Sequence, residues 1–210
     1  MDSPFKLFDL TDRVALVTGG AGLLGVEFCR TLAEAGAAVV VADVDGDAAR
    51  SLADSLARNG FSARGVQTDV TSPDSVRQMV DSTLEAFGRL DVLVNSAALD
   101  PKVREQGTGS GEQGTDSQSP IPDPLSLPFE EYPLTLWQQA LDVNLTGAML
   151  CCQAAARPML QQGGGVIINV ASIYGLTAPD QRLYQRAGQP PRYKPAYYTV
   201  TKAGLLGLTK

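Results

Sequence analysis

Five short runs rich in β-branched and small apolar residues, RVALVT (13–18), AAVVVA (37–42), SARGVQT (62–68), DVLVN (91–95) and GVIINVA (165–171), alternate with stretches of helical spacing. A strand can be followed by a parallel neighbour only if the chain crosses back over the sheet, so this series predicts a parallel sheet with helices on both faces. The expected fold class is α/β, a doubly wound parallel sheet. At 210 residues, 44% hydrophobic and 19% charged, the chain fits one well-buried domain over 1–210. Ser72-Pro73 marks one helix start, and Thr135 with Gln138 forms a capping box ahead of WQQALDVNLTGAMLCCQAAA. Residues 100–134, rich in Gly, Ser, Pro and Gln with no apolar period, read as a surface insertion.

Charge and composition exclude whole classes of function. A net charge of −6 lacks the basic face that a nucleic-acid binder needs, which leaves a small molecule as the expected partner. No apolar run reaches membrane-spanning length, and MDSPFKLFDLTDR lacks a signal-peptide pattern, so no membrane partner and a cytoplasmic location are expected. The chain has no histidine, which removes Ser-His-Asp triads and most catalytic zinc sites, and no metal is expected. Acid–base chemistry then falls to Tyr, Lys, Asp, Glu or Cys. Cys29, Cys151 and Cys152 lack metal or redox spacing and read as buried, inert thiols.

The first strand runs into TGGAGLLG (18–25), where Gly20, Gly22 and Gly25 satisfy G-x-G-x-x-G. Such a turn lets backbone approach a pyrophosphate while the following helix presents unpaired N–H groups. The second strand runs on to Asp43, where a dinucleotide-binding domain of the Rossmann type places an acid on the adenosine ribose. A carboxylate binds a diol and repels a 2′-phosphate, so NAD is expected rather than NADP. Asp45 is the better candidate for capping the next helix.

Together with TDV (68–70), VNSAA (94–98), DVNLTGA (142–148), INVAS (168–172) and YTVTK (198–202), these segments make the chain resemble a short-chain dehydrogenase/reductase of the single-domain type, from about Arg13 to the last residue. The resemblance implies Tyr198 as general acid/base, Lys202 as its electrostatic helper and ribose ligand, Ser172 as the anchor of the substrate carbonyl, and Asn144 as organiser of a proton relay reaching Lys202. It further implies cofactor contacts from Thr18, Gly19, Gly20, Gly22, Leu24, Gly25, Asp43, Asp69, Val70 and Asn95, besides Tyr198 and Lys202. The implied reaction is hydride transfer between a secondary alcohol or ketone and NAD. Spacing independently distinguishes the paired tyrosines of PAYYTVTK, because Tyr198 has a lysine one helical turn later and Tyr197 has Thr201. A free tyrosine ionises near pH 10, and a lysine about 5 Å away at an effective dielectric of about 20 favours the phenolate by roughly 3 kcal/mol. Tyr197 reads as a packed or substrate-facing aromatic.

Several features depart from the family pattern. Leu23 stands where single-domain members carry glycine, giving the glycine spacing of epimerases and dehydratases, and VNSAA replaces the usual Asn-Asn-Ala-Gly. The segment 173–195, with Arg182, Arg186, Arg192 and Lys194, reads as a substrate-side flap suited to a phosphate or carboxylate. It resembles a bacterial subgroup associated with flagellin modification and nonulosonic-acid sugars, which implies a sugar-derived alcohol. The family resemblance also implies strands and a lid after Lys210, so the chain reads as truncated at its C-terminus, with homo-oligomerisation expected of a complete protein. Two other readings stay open: a nucleotide-binding chain without turnover, and a sugar-nucleotide epimerase or dehydratase.

Overall fold

The computed structural model describes residues 7–100 and 123–210. Most of the 100–134 insertion therefore lies outside the described residues. Five parallel strands, β1 Val14–Thr18, β2 Ala38–Asp43, β3 Ala63–Gln67, β4 Val92–Asn95 and β5 Val166–Asn169, stand in the order β3-β2-β1-β4-β5. The helices are α1 Leu23–Glu34, α2 Gly46–Arg58, α3 Pro73–Phe87, α4 Leu134–Leu141, α5 Gly147–Gln161 and α6 Ala196–Thr209. All five expected strands form within two residues of the runs that signal them, and the sheet is the expected doubly wound one.

The strands carry unbroken apolar runs because both faces of the sheet are buried. Leu16, Val40 and Leu93 point to the face that meets Val76, Met79 and Val80 of α3 and Cys151, Ala155 and Met159 of α5. Ala15, Val17, Val39, Val41 and Val94 point to the opposite face, where Cys29 and Ala33 of α1 and Ala49, Ala53 and Leu56 of α2 cover them. The strand β5 departs from the expected double cover: Ile167 packs on the core, whereas Val166 and Ile168 are exposed. No helix among the described residues is long and apolar enough to cross a membrane.

Local signals account for most of the helix boundaries. Ser72 caps α3 by accepting a hydrogen bond from the Ser75 N–H, with Pro73 at the first helical position, and Gly88 ends the helix in the left-handed region. Asp45 caps α2 through the Ala48 N–H at 2.9 Å. The capping box expected at Thr135 and Gln138 does not form. Pro133, extended at φ −66° and ψ 136°, precedes the first helical residue, Leu134, so Thr135 already lies inside the first turn. The long helix expected through WQQALDVNLTGAMLCCQAAA is interrupted by a π-helical stretch at Asp142–Thr146.

Register fixes where a site can be. Thr18 pairs with Ala42 on one side and with Asn95 on the other, Asp43 pairs with Gln67, and Asn95 pairs with Asn169. The carboxyl ends of the strands thus form one rim, and chain order reverses between β1 and β4, the position at which open α/β sheets bind ligands.

The opposite rim is closed by charge. Asp91 is 7% exposed and accepts from the Val14 N–H at 2.9 Å, from Arg13 at 3.0 Å and from Arg89 at 2.7 Å. Burial opposes its ionisation, but these hydrogen bonds and the Arg89 charge outweigh burial and hold the carboxyl below its ordinary value of 3.8. A depressed carboxyl stabilises the fold above its unfolded pKa, and that contribution is lost as pH falls through the lower, folded value. Replacing Asp91 by Ala is expected to cost on the order of 2 kcal/mol at neutral pH. Urea unfolding at pH 7 and below pH 4 checks this, because the gap between the two proteins must narrow on acidification.

Candidate active site

The turn between β1 and α1 is built from close backbone contacts. Gly19 sits at φ +63°, and a Cβ there would lie 2.7 Å from the Ala97 Cα; on Gly25 it would lie 2.0 Å from the Gly19 carbonyl oxygen. Both obstacles are backbone, so nothing larger than glycine fits. Gly22 caps α1 without any side-chain acceptor, leaving the helix start open to the rim. Asp43 reaches across from the end of β2, and its carboxylate accepts from the Ala21 N–H at 3.0 Å and the Asp45 N–H at 3.1 Å. These hydrogen bonds fix the carboxylate beside the glycine turn.

A cleft of about 650 Å³ opens above this turn and runs along the rim to α6. Gly19, Gly22 and Asp43 line one end, and Tyr198 and Lys202 line the other. Pro195 starts α6, with no side-chain cap. Lys202, 5% exposed, donates from Nζ to the Val170 carbonyl at 2.6 Å and stands 5.8 Å from the centre of the Tyr198 ring. Burial lowers the pKa of Lys202, against the pull of Asp100. The Tyr198 phenol lies above its ordinary value: burial raises it, the Ser172 hydroxyl acts in the opposite direction, and Asp100 and Tyr174 raise it further.

The short chain dehydrogenase family matches residues 13–210. The chain belongs to that family. It is 34% identical to an uncharacterised oxidoreductase of Thermotoga maritima, over 95% of this chain and 64% of the relative. Among solved structures, it is similar to a gluconate 5-dehydrogenase of Burkholderia cenocepacia in complex with NADP and tartrate, with a TM-score of 0.72 and 29% identity over 99% of this chain and 67% of the other. It is also similar to an NAD⁺-bound xylitol dehydrogenase, with a TM-score of 0.71 and 28% identity over 95% and 63% of the two chains. The chain spans between 62% and 66% of the length of the curated relatives it matches.

The structure divides the short-chain dehydrogenase residues expected from sequence into cleft walls and supports. Gly19, Gly22, Leu24, Gly25, Asp43, Asp69, Val70, Tyr198 and Lys202 line the cleft. The side chains of Thr18 and Asn95 are buried behind it instead. The Thr18 hydroxyl accepts from the Ser96 N–H at 3.2 Å, and the Asn95 amide donates to Asn169 at 2.9 Å and to the Cys152 sulfur at 3.2 Å. Gly20 faces Val41 of β2, its N–H donating to the Ala42 carbonyl at 3.0 Å. Ser172 lies next to the cleft, where its hydroxyl accepts from the Tyr174 N–H at 3.2 Å and favours the Tyr198 phenolate. Tyr197 is a packed aromatic, 3% exposed, with its ring centre 6.0 Å from that of Tyr132.

The Asn144 side chain is tied to its surroundings: its Oδ1 accepts from the Leu99 N–H at 2.6 Å, and its Nδ2 donates to the Leu99 carbonyl at 3.1 Å and toward the Thr201 hydroxyl at 3.5 Å. Two expectations need correction. Lys202 alone does not bring the phenol below its ordinary value, because the half-buried ring is desolvated and Asp100 opposes ionisation. The flap does not present a free row of cations, since Arg182 pairs with Asp180, Arg192 with Asp123 and Lys194 with Asp100. Of the thiols, Cys29 and Cys151 are buried and pushed up to about 12 by burial, as inert cysteines should be, while Cys152 is partly exposed.

Sequence reasoning missed Asp100 as a site residue and read Lys194 only as a flap cation. Asp100 lines the cleft, and the Lys194 ammonium lies 3.8 Å from the centre of the Tyr198 ring. Replacing Asn144 by Ala is expected to lower stability by about 1–3 kcal/mol, because two backbone groups of Leu99 lose their partner. Hydrogen exchange checks the mechanism: the Leu99 amide must exchange faster in the variant, while amides of β2 keep their protection relative to global stability.

Proposed function

We propose that the protein is a nicotinamide-dependent oxidoreductase interconverting a secondary alcohol and a ketone, with NAD preferred and a polyol or sugar-derived alcohol as substrate. The observation that carries this reading is a single cleft with the glycine turn and Asp43 at one end and Tyr198 and Lys202 at the other. The turn suits a dinucleotide. Its glycines put no side chain between the backbone and a ligand, and the uncapped start of α1 favours an anionic pyrophosphate. The fixed Asp43 carboxylate suits a ribose diol and disfavours a 2′-phosphate.

A bound nicotinamide supplies the acceptor or donor of hydride. The chain's own residues handle the proton and the alignment. During oxidation the Tyr198 phenolate takes the proton of the substrate hydroxyl, and the Ser172 hydroxyl holds the same oxygen; during reduction the phenol returns the proton. Lys202, anchored on the Val170 carbonyl, keeps an ammonium beside the ring and can reach a ribose hydroxyl. With Arg182, Arg192 and Lys194 paired internally, the substrate side of the cleft suits a hydroxylated molecule better than a phosphorylated one. The similar xylitol dehydrogenase bears a name consistent with a polyol, and the similar gluconate 5-dehydrogenase bears one consistent with a sugar-derived hydroxy acid.

Because the Tyr198 phenol lies above its ordinary value, alcohol oxidation is expected to rise through the alkaline range while ketone reduction proceeds near neutrality. Calorimetric titration is expected to show tighter binding of NADH than of NADPH, reversed or levelled by Asp43→Ser. The Tyr198→Phe variant is expected to keep cofactor affinity and lose turnover of polyols by roughly 10²-fold or more. Equal turnover in the two proteins would remove Tyr198 as the acid, and no binding of either cofactor would remove the whole reading.

A further inference from the structure

Lys194 is placed with more constraint than a flap cation requires. Only 9% of the residue is exposed. Its backbone is held at both ends by one side chain, the Gln181 amide, which accepts from the Lys194 N–H at 2.9 Å and donates to the Lys194 carbonyl at 3.0 Å. The neighbouring Tyr193 N–H donates to the Leu125 carbonyl at 2.7 Å, and Arg192 pairs with Asp123 at 3.0 Å. Thus clamped, the side chain carries its ammonium over the face of the Tyr198 ring, with the Asp100 carboxylate as its ion-pair partner.

A cation on the face of a phenol interacts more strongly once the ring becomes a phenolate, because the ring then carries the negative charge. The ammonium therefore favours the deprotonated ring, and Asp100 opposes it. Tyr198 is faced by Ser172 and Tyr174 from the turn after β5, by Tyr184 and Lys194 from the flap, by Asp100 from the segment after β4 and by Lys202 from α6. Among these groups, Lys194 and Asp100 form a linked pair of opposite sign.

We infer that Lys194, held over the Tyr198 ring and paired with Asp100, is a positioning residue that sets how readily this ring gives up and takes back its proton. The inference rests on the acid–base role proposed for Tyr198, yet it can be tested without turnover. The chain contains six tyrosines, so tyrosinate absorbance of the protein minus that of Tyr198→Phe isolates this phenol. The same difference is then measured in the Lys194→Met, Lys194→Arg and Asp100→Asn backgrounds. The expected result is a titration moved to higher pH by Lys194→Met, restored by Lys194→Arg and moved to lower pH by Asp100→Asn.

In polyol oxidation, Lys194→Met is expected to lower kcat/KM about tenfold on the acidic limb and to recover toward the plateau at high pH. A phenol whose titration is the same in all three backgrounds overturns the inference. So does a loss of activity in Lys194→Met and Asp100→Asn that leaves both midpoints in place, which is the signature of a purely structural flap contact. Absence of turnover in the unsubstituted protein would count against the proposed reaction alone, since the absorbance titration still decides the role of Lys194.

Discussion

The close approach of α1 to β1 is the contact from which the rest of the site is built. Gly25 lies so near the Gly19 carbonyl that a side chain has no place between them, and a Cβ on Gly20 would come within 2.9 Å of the Val41 side chain. Only with helix and strand at this distance can the Ala21 N–H reach the carboxylate of Asp43, which ties the glycine turn to the end of β2. The register of β1 against β4 carries the same constraint to the other side, where Ala97 sits against Gly19 and Thr18 holds the Ser96 N–H. One steric condition therefore sets the turn, the acid beside it and the wall opposite it.

Electrostatics at the far end of the cleft is a balance rather than a single push. A chain of net charge −6 brings two ammonium groups, those of Lys194 and Lys202, into buried positions around one phenol. Each is compensated locally, Lys202 by the Val170 carbonyl and Lys194 by Asp100, so neither acts on the ring at full strength. Burial of the ring outweighs what remains, and the phenol lies above its ordinary value. An arrangement of this kind responds to charge brought close to the ring. A positively charged ligand group entering the cleft would tip it toward the phenolate, and a negatively charged one would tip it back.

The features legible in the sequence are those written in local pattern. Five β-branched runs, the Ser72-Pro73 start of α3, the Asp45 cap and the glycine turn each carry their own physical cause within a few residues, and the structure shows all of them. Helical spacing likewise separates Tyr198 from Tyr197. The illegible features depend on residues far apart in the chain. Asp100 and Lys194 meet across 94 positions, and Lys194 precedes Pro195, so the periodicity of α6 does not extend to it. The partner of the Asn144 side chain, Leu99, lies 45 positions earlier, beyond any local pattern. Pairing of Arg182 by Asp180 was within local reach, whereas that of Arg192 by Asp123 was not.

The π-helical stretch between α4 and α5 shows how one extra residue per turn can organise such distant partners. Each residue of an α-helix advances about 100° around its axis, so inserting one resets the facing of everything that follows. Here the reset lets Asn144 turn toward Leu99 and Thr201 while Gly147 meets Val70 at a distance that excludes any side chain. The segment after β4, the π-helical stretch and the helix bearing Tyr198 are joined through the Asn144 amide. An uninterrupted helix over the same residues would direct Asn144 and Gly147 to different neighbours, and the wall formed by Leu99 and Asp100 would lose its link to α6. The interruption is therefore part of how the fold brings an acidic residue from one end of the sheet into the charge balance around Tyr198.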